Sequence, residues 1–520
     1  MVVKPIIYQV FPRYWGGYES QNVRNGSLAQ NGCGHFGDFD NQSLDYIKSL
    51  GCTHIWYTGV IRHATGCNSN GCSPSHPDFL KGNAGSPYAI TDYYDVNPYL
   101  ADDPPRRMVE FEQMVRRTHE KGLKVIIDFV PNHVSRDNVN FGQKDDKSVH
   151  WKAENDFYYY PGENINLPNR AYPTSEHPYP YSEYPARATG NNCFNASPTI
   201  HDWYETVKLN YCDFHTGTWD KMLDILRFWA SKGVDGFRCD MVELVPSEFF
   251  EWVIARMKEE FPGILFIAEV YKKELYRYYL RNVRFDYLYD KSGMYDEVRD
   301  IMQYNADNKG LAPESWQSVR RLTKGWQKVD KLQPNLLYFL ENHDEQRIAS
   351  DFFLGDAHKA MAGMALTALF NTGALMIYSG QEVGEKGMEN EGFSSLDGRN
   401  TIFDWWKSES MVKLWDYIHG GKLDSESAGI LNEYRNILHH AASKPFNSGK
   451  NYDLCYCNEY SEGYDPDKHF SFLRYDEQEC YVVVCNFSDK PASMKLNIPN
   501  KGIVLPLEVE AFSYTIKKIN

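Results

Sequence analysis

Hydrophobic and polar positions follow two rhythms along this chain. In the first, short apolar runs recur at intervals: Ile6 to Phe11, Thr53 to Val60, Lys124 to Val130, Val234 to Asp240, Ile264 to Val270, Arg284 to Asp290, Asn335 to Glu341 and Ala374 to Tyr378. Runs this short, rich in β-branched and aromatic residues, predict buried parallel strands. Between them, Leu44 to Leu50, Met108 to Gly122, Lys221 to Gly233 and Phe249 to Phe261 predict amphipathic helices. The second of these carries basic residues in its last turns and stops at a glycine, as helix C-termini do. Eight strands with intervening helices match the count of an α/β (β/α)8 TIM barrel.

The rhythm breaks from Ser135 to about Thr216, a stretch rich in Asn, Tyr, Pro and Gly. A compact barrel does not carry so long an irregular connection without reason, so this is an inserted subdomain or a wall of the active site. The apolar segment Ala360 to Tyr378 is interrupted by Asn371-Thr372-Gly373. It reads as a buried helix, a turn and a strand, not as a membrane span of about 20 residues. A helix at Ile430 to His440 closes the barrel region. Beyond Tyr452 the second rhythm takes over: HFSFLRY, CYVVVCNFS, ASMKLNIP and EAFSYTIKKI are short alternating strands with turn residues between them. They predict a separate antiparallel β domain. The expected organisation is a first barrel part at 1–134, an inserted domain at 135–216, a second barrel part at 217–445 and a C-terminal β-sandwich at 446–520. No internal repeat or low-complexity tract is present.

A formal charge of -15 over 520 residues argues against nucleic acid or an anionic membrane as the main partner. Aromatics are 15% of the chain, with 37 Tyr and 12 Trp, which suits either a large aromatic core or surfaces that stack on flat ligand faces. The 11 cysteines cannot all pair. Cys33, Cys67 and Cys72 lie in loops and are able to pair, whereas Cys239 and Cys485 fall inside predicted strands. Cys455 and Cys457 are too close for usual zinc spacing. The opening MVVKPIIYQV lacks the features of a signal peptide. The expectation is a cytoplasmic protein, unless a leader has been removed.

Four of the apolar runs end in reactive groups: DFVPNH (Asp128 to His133), GFRCD (Gly236 to Asp240), FIAEV (Phe266 to Val270) and FLENHDEQR (Phe339 to Arg347). The C-terminal ends of barrel strands are where such folds build their active sites. Asp240, Glu269 and Asp344 are therefore expected to converge. Hydrolysis of a glycosidic bond uses two carboxyl groups, one to protonate the leaving oxygen and, in retaining enzymes, one to attack the anomeric carbon. Asp240 and Glu269 end neighbouring strands and fit that pair. Arg238, two residues before Asp240, points to the same side and can hold it ionised. His133 and His343 can donate hydrogen bonds to sugar hydroxyls.

These four segments, in this order, resemble the four sequence regions of the α-amylase family of glycoside hydrolases. YQVFPRYW (Tyr8 to Trp15), GSPYAITDYYDVNP (Gly85 to Pro98), KLNY (Lys208 to Tyr211), GALMIYSGQE (Gly373 to Glu382) and VVVCNFSDKP extend the resemblance to nearly the whole chain. It implies a barrel with domain B inserted after strand three, followed by domain C. It implies Asp240 as nucleophile, Glu269 as general acid and base, Asp344 as a transition-state stabiliser, and Tyr88 stacking under the reacting glucose. The implied substrate is an α-glucan or malto-oligosaccharide, cleaved at α-1,4 bonds. An α-glucosidase or transglycosylase is the alternative on the same scaffold, and a non-catalytic carbohydrate-binding protein the remote one.

Departures from the family pattern carry information too. The chemistry requires no cofactor. A structural calcium stays open: Asn132 matches a calcium ligand that metal-free members also carry, while Glu243 and Leu244 stand where calcium-dependent members have Lys-His. Ala89 replaces the Asp of a G-Y-D segment that exo-acting members use to grip a chain end. Asn400, or Arg399 after a one-residue shift, stands at the partner arginine's place. An open groove and internal cleavage are expected from these changes.

Overall fold

A computed structural model describes residues 4–519 except 69–70, 141–156, 158, 161, 212–216, 306–317 and 394. Eight parallel strands close into a barrel: β1 (Ile6–Val10), β2 (His54–Tyr57), β3 (Lys124–Phe129), β4 (Gly236–Cys239), β5 (Leu265–Ala268), β6 (Tyr287–Tyr289), β7 (Leu336–Tyr338) and β8 (Ala374–Tyr378). Each pairs with its sequence neighbours, and β1 closes the ring against β8. All eight predicted runs are strands, although most are shorter than the runs. The seventh stops at Tyr338 because Glu341 leaves the ladder to bind Arg347 and the backbone N–H of Ile348.

Side-chain alternation builds two cores. Ile7, Trp56, Ile126, Ile267, Tyr289, Leu337 and Met376 point inward and fill the barrel. The opposite parity packs outward on the helices. The helix Arg107–Glu120 buries Phe111, Met114, Val115 and Thr118, the spacing of one helical face. It ends as predicted at Gly122, whose φ of 71° is the left-handed cap that glycine adopts at least cost. The apolar segment read as helix, turn and strand is helix Met361–Leu369 followed by β8. Among the described residues no helix is long and apolar enough to cross a membrane.

After β3 the chain leaves the barrel. Strand His133–Ser135 pairs antiparallel with Thr206–Lys208, which ties the far end of the insertion back to the exit of β3. The C-terminal region holds a four-stranded antiparallel sheet, β9 (Lys450–Asp453), β10 (His469–Tyr475), β11 (Cys480–Asn486) and β14 (Tyr514–Ile519). A hairpin of β12 (Ala492–Ile498) and β13 (Ile503–Val509) packs on it through Leu496, Ile498 and Val482. No disulfide forms among the described residues.

Candidate active site

The strand ends after β3, β4, β5 and β7 meet over one cavity of about 400 Å³, lined by Tyr88, His133, Asp240, Glu269 and Asp344 among others. Arg238 is the cation at its floor. Register places it beside Asp128 on β3 and Ile267 on β5, so the Arg238 and Asp128 side chains point to the same face. Its Nη1 donates to Asp240 Oδ1 at 2.7 Å and lies 3.6 Å from Asp128 Oδ1, while Nη2 stands 2.9 Å from Glu269 Oε2. The guanidinium also sits against the rings of Trp56, Tyr88 and Tyr289. A planar, permanently charged group suits such a crowded junction, where a lysine would not reach all partners.

Asp240 is 5% exposed. Its Oδ1 is held by Arg238, and its Oδ2 has no hydrogen-bond partner. Burial pushes its carboxyl well above the usual range; Arg238 opposes this and the Glu269 charge adds to it. The next residue, Met241, has φ 45° and ψ 47°, the left-handed region, which costs a residue with a side chain about 1–2 kcal/mol. That turn aims the Met241 N–H at Glu269 Oε2, 2.8 Å away. Tyr271 donates its hydroxyl to the other oxygen, Oε1, at 2.6 Å. Backbone strain here orients a reactive group.

Asp344 lies across the cavity. Burial, with Glu269 adding to it, raises its carboxyl to about 7. Asp128 accepts from Trp56 Nε1 at 3.0 Å and from the Tyr88 hydroxyl at 3.3 Å, and burial lifts it to about 6 despite Arg238. His343 is fixed on both sides: Gln9 Nε2 meets its Nδ1 at 2.8 Å, and Nε2 faces the Tyr88 hydroxyl and, at 3.2 Å, Asp344 Oδ2. Tyr88 stacks on the His343 ring at 5.4 Å. Burial holds His343 well below its usual range and lowers His133 to about 3, so both imidazoles stay neutral at ordinary pH. His133 is wedged by Gly190, where a Cβ would fall 2.8 Å from the His133 ring carbon Cγ; only glycine permits that approach.

All seven residues singled out from the sequence thus gather here. Sequence reasoning missed Asp128, Trp56, Tyr271 and Tyr289. Tyr271 was legible by parity, two residues beyond Glu269; the others needed the register. The insertion does line the cavity, through Ile200, His201, Trp203, Glu205 and Thr206, whereas Tyr179 and Tyr181 are not among the lining residues. Tyr181 packs on Phe79 and donates to Glu183, and Tyr179 is exposed. Tyr158 and the side chains of Tyr159 and Tyr160 lie outside the described residues.

A structural calcium does not fit the site that Asn132 suggested. The Lys208 ammonium donates to Asn132 Oδ1 and, at 2.7 Å, to the Leu244 carbonyl, while Asn132 Nδ2 donates to Gly190 O. A buried ammonium already holds the oxygens a metal would need, and it repels a second cation. At the chain-end positions, Ala89 is buried in an apolar cluster. Asn400 donates to Glu385, and Arg399 donates to the Asp344 carbonyl and to Asp397.

A model of the α-amylase catalytic domain matches residues 9–412, and the chain belongs to the α-amylase family of glycoside hydrolases. Among its relatives, Alpha-amylase 3 of Dictyoglomus thermophilum is 25% identical over 462 residues, 83% of this chain and 76% of that protein. Trehalose-6-phosphate hydrolase of Bacillus subtilis is 22% identical over 570 residues, 95% and 91% of the two chains. The ligand-free structure of a cyclic alpha-maltosyl-(1-->6)-maltose hydrolase from Arthrobacter globiformis shares the fold with a TM-score of 0.68 at 17% identity, covering 99% of this chain and 98% of that one. The protein is a glycosidase on a (β/α)8 scaffold.

Proposed function

We propose that this enzyme hydrolyses α-1,4-glucosidic bonds of starch- or glycogen-type glucans and malto-oligosaccharides by double displacement, with retention of configuration. The observation that carries this reading is the state of Asp240: one oxygen is pinned by Arg238, and the other is buried in the cavity wall without a hydrogen-bond partner. That free oxygen attacks the anomeric carbon. Glu269, oriented by Met241 N–H and Tyr271, protonates the departing oxygen and then takes a proton from water. Asp344 and the neutral His343 and His133 bind hydroxyls of the reacting sugar over Tyr88, and the Asp344 charge favours the oxocarbenium-like transition state.

The α-glucan assignment draws on the named activities of the relatives, and internal cleavage on the absence of a charged clamp at Ala89 and Asn400. Early products from soluble starch test it. Mixed malto-oligosaccharides released as α-anomers, with a fast fall in iodine staining, are expected. Glucose alone from the first minutes would assign an α-glucosidase instead, and products longer than the substrate from maltotriose a transglycosylase. A β-anomer as first product would remove Asp240 as nucleophile.

A further inference from the structure

The two oxygens of Glu269 stand in unlike surroundings. Oε2 takes the Met241 N–H at 2.8 Å and lies 2.9 Å from the Arg238 guanidinium. Oε1 takes the Tyr271 hydroxyl at 2.6 Å. A backbone N–H and a guanidinium can only donate, so the oxygen they crowd is the worse place for a proton. A proton that Glu269 gives to a leaving oxygen is therefore carried on Oε1, the oxygen that Tyr271 covers. A phenol both donates and accepts, so the same contact suits either state of Glu269. Burial, with the Glu269 and Asp344 charges adding to it, pushes the Tyr271 phenol well above its usual range, and the hydroxyl keeps its own proton throughout. The Tyr271 backbone is anchored, its carbonyl accepting from Ser292 Oγ. Its side chain lines the cavity, and the residue is 37% exposed, so the ring can turn from Oε1 without opening the core.

We propose that Tyr271 is a positioning residue for the proton of Glu269: its hydroxyl holds Oε1 between turnovers, donating to the carboxylate and accepting from the acid, and yields that oxygen first to the leaving group and then to water. In the first half-reaction the Oε1 proton passes to the leaving oxygen as its bond to the anomeric carbon breaks and the bond from Asp240 Oδ2 forms. In the second, water adds to the anomeric carbon, its proton passes to Oε1, and the bond to Asp240 breaks. The proposal rests on Glu269 as acid and base in the α-glucan reading and adds the residue that sets its hydrogen bonding. Besides Tyr271, Glu269 is faced by Arg238 on β4, Asp240 beyond β4, Tyr289 on β6 and Asp344 beyond β7. Removing the Tyr271 hydroxyl leaves all four in place.

The pH profile of kcat/KM on soluble starch tests it, since its limbs report the acid and base of the free enzyme. Tyr271→Phe takes away a donor that favours the carboxylate, so the alkaline limb should move up by about one pH unit or more. Tyr271→Leu lacks the same hydroxyl and should show the same displacement, whatever the loss of ring contacts does to KM. Thermal unfolding of both variants shows that they are folded. A limb that stays in place or moves down, with kcat/KM lowered equally at every pH, would make Tyr271 a packing residue and overturn the proposal. Glu269→Gln separates this from the reading beneath it. If that variant kept its activity on starch and its alkaline limb, the acid would not be Glu269 and both would fall together.

Discussion

Two arginines are buried at the C-terminal side of the barrel, and their surroundings differ in one respect. Arg347 is balanced: Nη1 donates to Glu341 at 2.7 Å, Nη2 to Ser379 O at 2.8 Å and Nε to Asn400 Oδ1 at 2.5 Å, while the second Glu341 oxygen takes the Ile348 N–H. One carboxylate pairs directly with the cation, with the Glu385 charge acting on Arg347 and Arg299 on Glu341 from further off, and the paired groups are hydrogen-bonded throughout. Arg238 is outnumbered by Asp128, Asp240 and Glu269, with Asp344 close enough for its carboxyl to feel the same charge. Its Nη2 makes no hydrogen bond, and neither does Asp240 Oδ2. A satisfied buried pair fixes a loop; an excess of negative charge around one cation keeps carboxyl groups poised to attack, protonate and stabilise positive charge. Side by side, the two clusters separate groups kept for folding from groups kept for reaction.

The largest expected effect tests that separation directly. Asp240→Asn and Glu269→Gln should each lower turnover by about three orders of magnitude or more, because members of a catalytic unit act together, with unfolding midpoints unchanged or raised. Kinetics on starch with parallel thermal unfolding would show it; a large loss of stability would make Asp240 a structural group like Glu341.

Glu341→Gln should do the reverse. Removing the charge that matches Arg347 leaves a buried cation uncompensated, at a cost of about 3–5 kcal/mol by urea unfolding. Activity per folded molecule should stay near that of the wild type.

The smallest effect is a pH dependence. In the folded protein the Asp344 carboxyl rises from 3.8 to about 7, so the folded state holds its proton more tightly than the unfolded chain. The stabilisation is complete below about pH 4 and is lost as pH rises through 7. Asp344→Asn removes that loss. Its unfolding midpoint should match the wild type near pH 4 and exceed it progressively up to pH 8. Parallel curves across this range would show that Asp344 is no less comfortable when charged than a solvated aspartate.

The barrel strands, their order, the capped helix ending at Gly122 and the alternating C-terminal strands were all legible in the sequence. Each depends on local periodicity, which a run of neighbouring residues carries by itself. Six of the seven site residues were legible for a related reason: parity and position at a strand end fix where a side chain points before any contact is known, whereas Tyr88 came only from the resemblance to the family. What only the tertiary structure decided are the pairings. Asp128 beside Arg238, Lys208 at the place considered for calcium, and Lys81 facing Glu205 join segments far apart in the chain. Asp240 and Glu341 are both acidic residues at the end of a buried strand, alike in the sequence. They differ only in how many charges and donors the fold brings around them, because burial and Coulomb energy belong to the assembled neighbourhood and not to the residue.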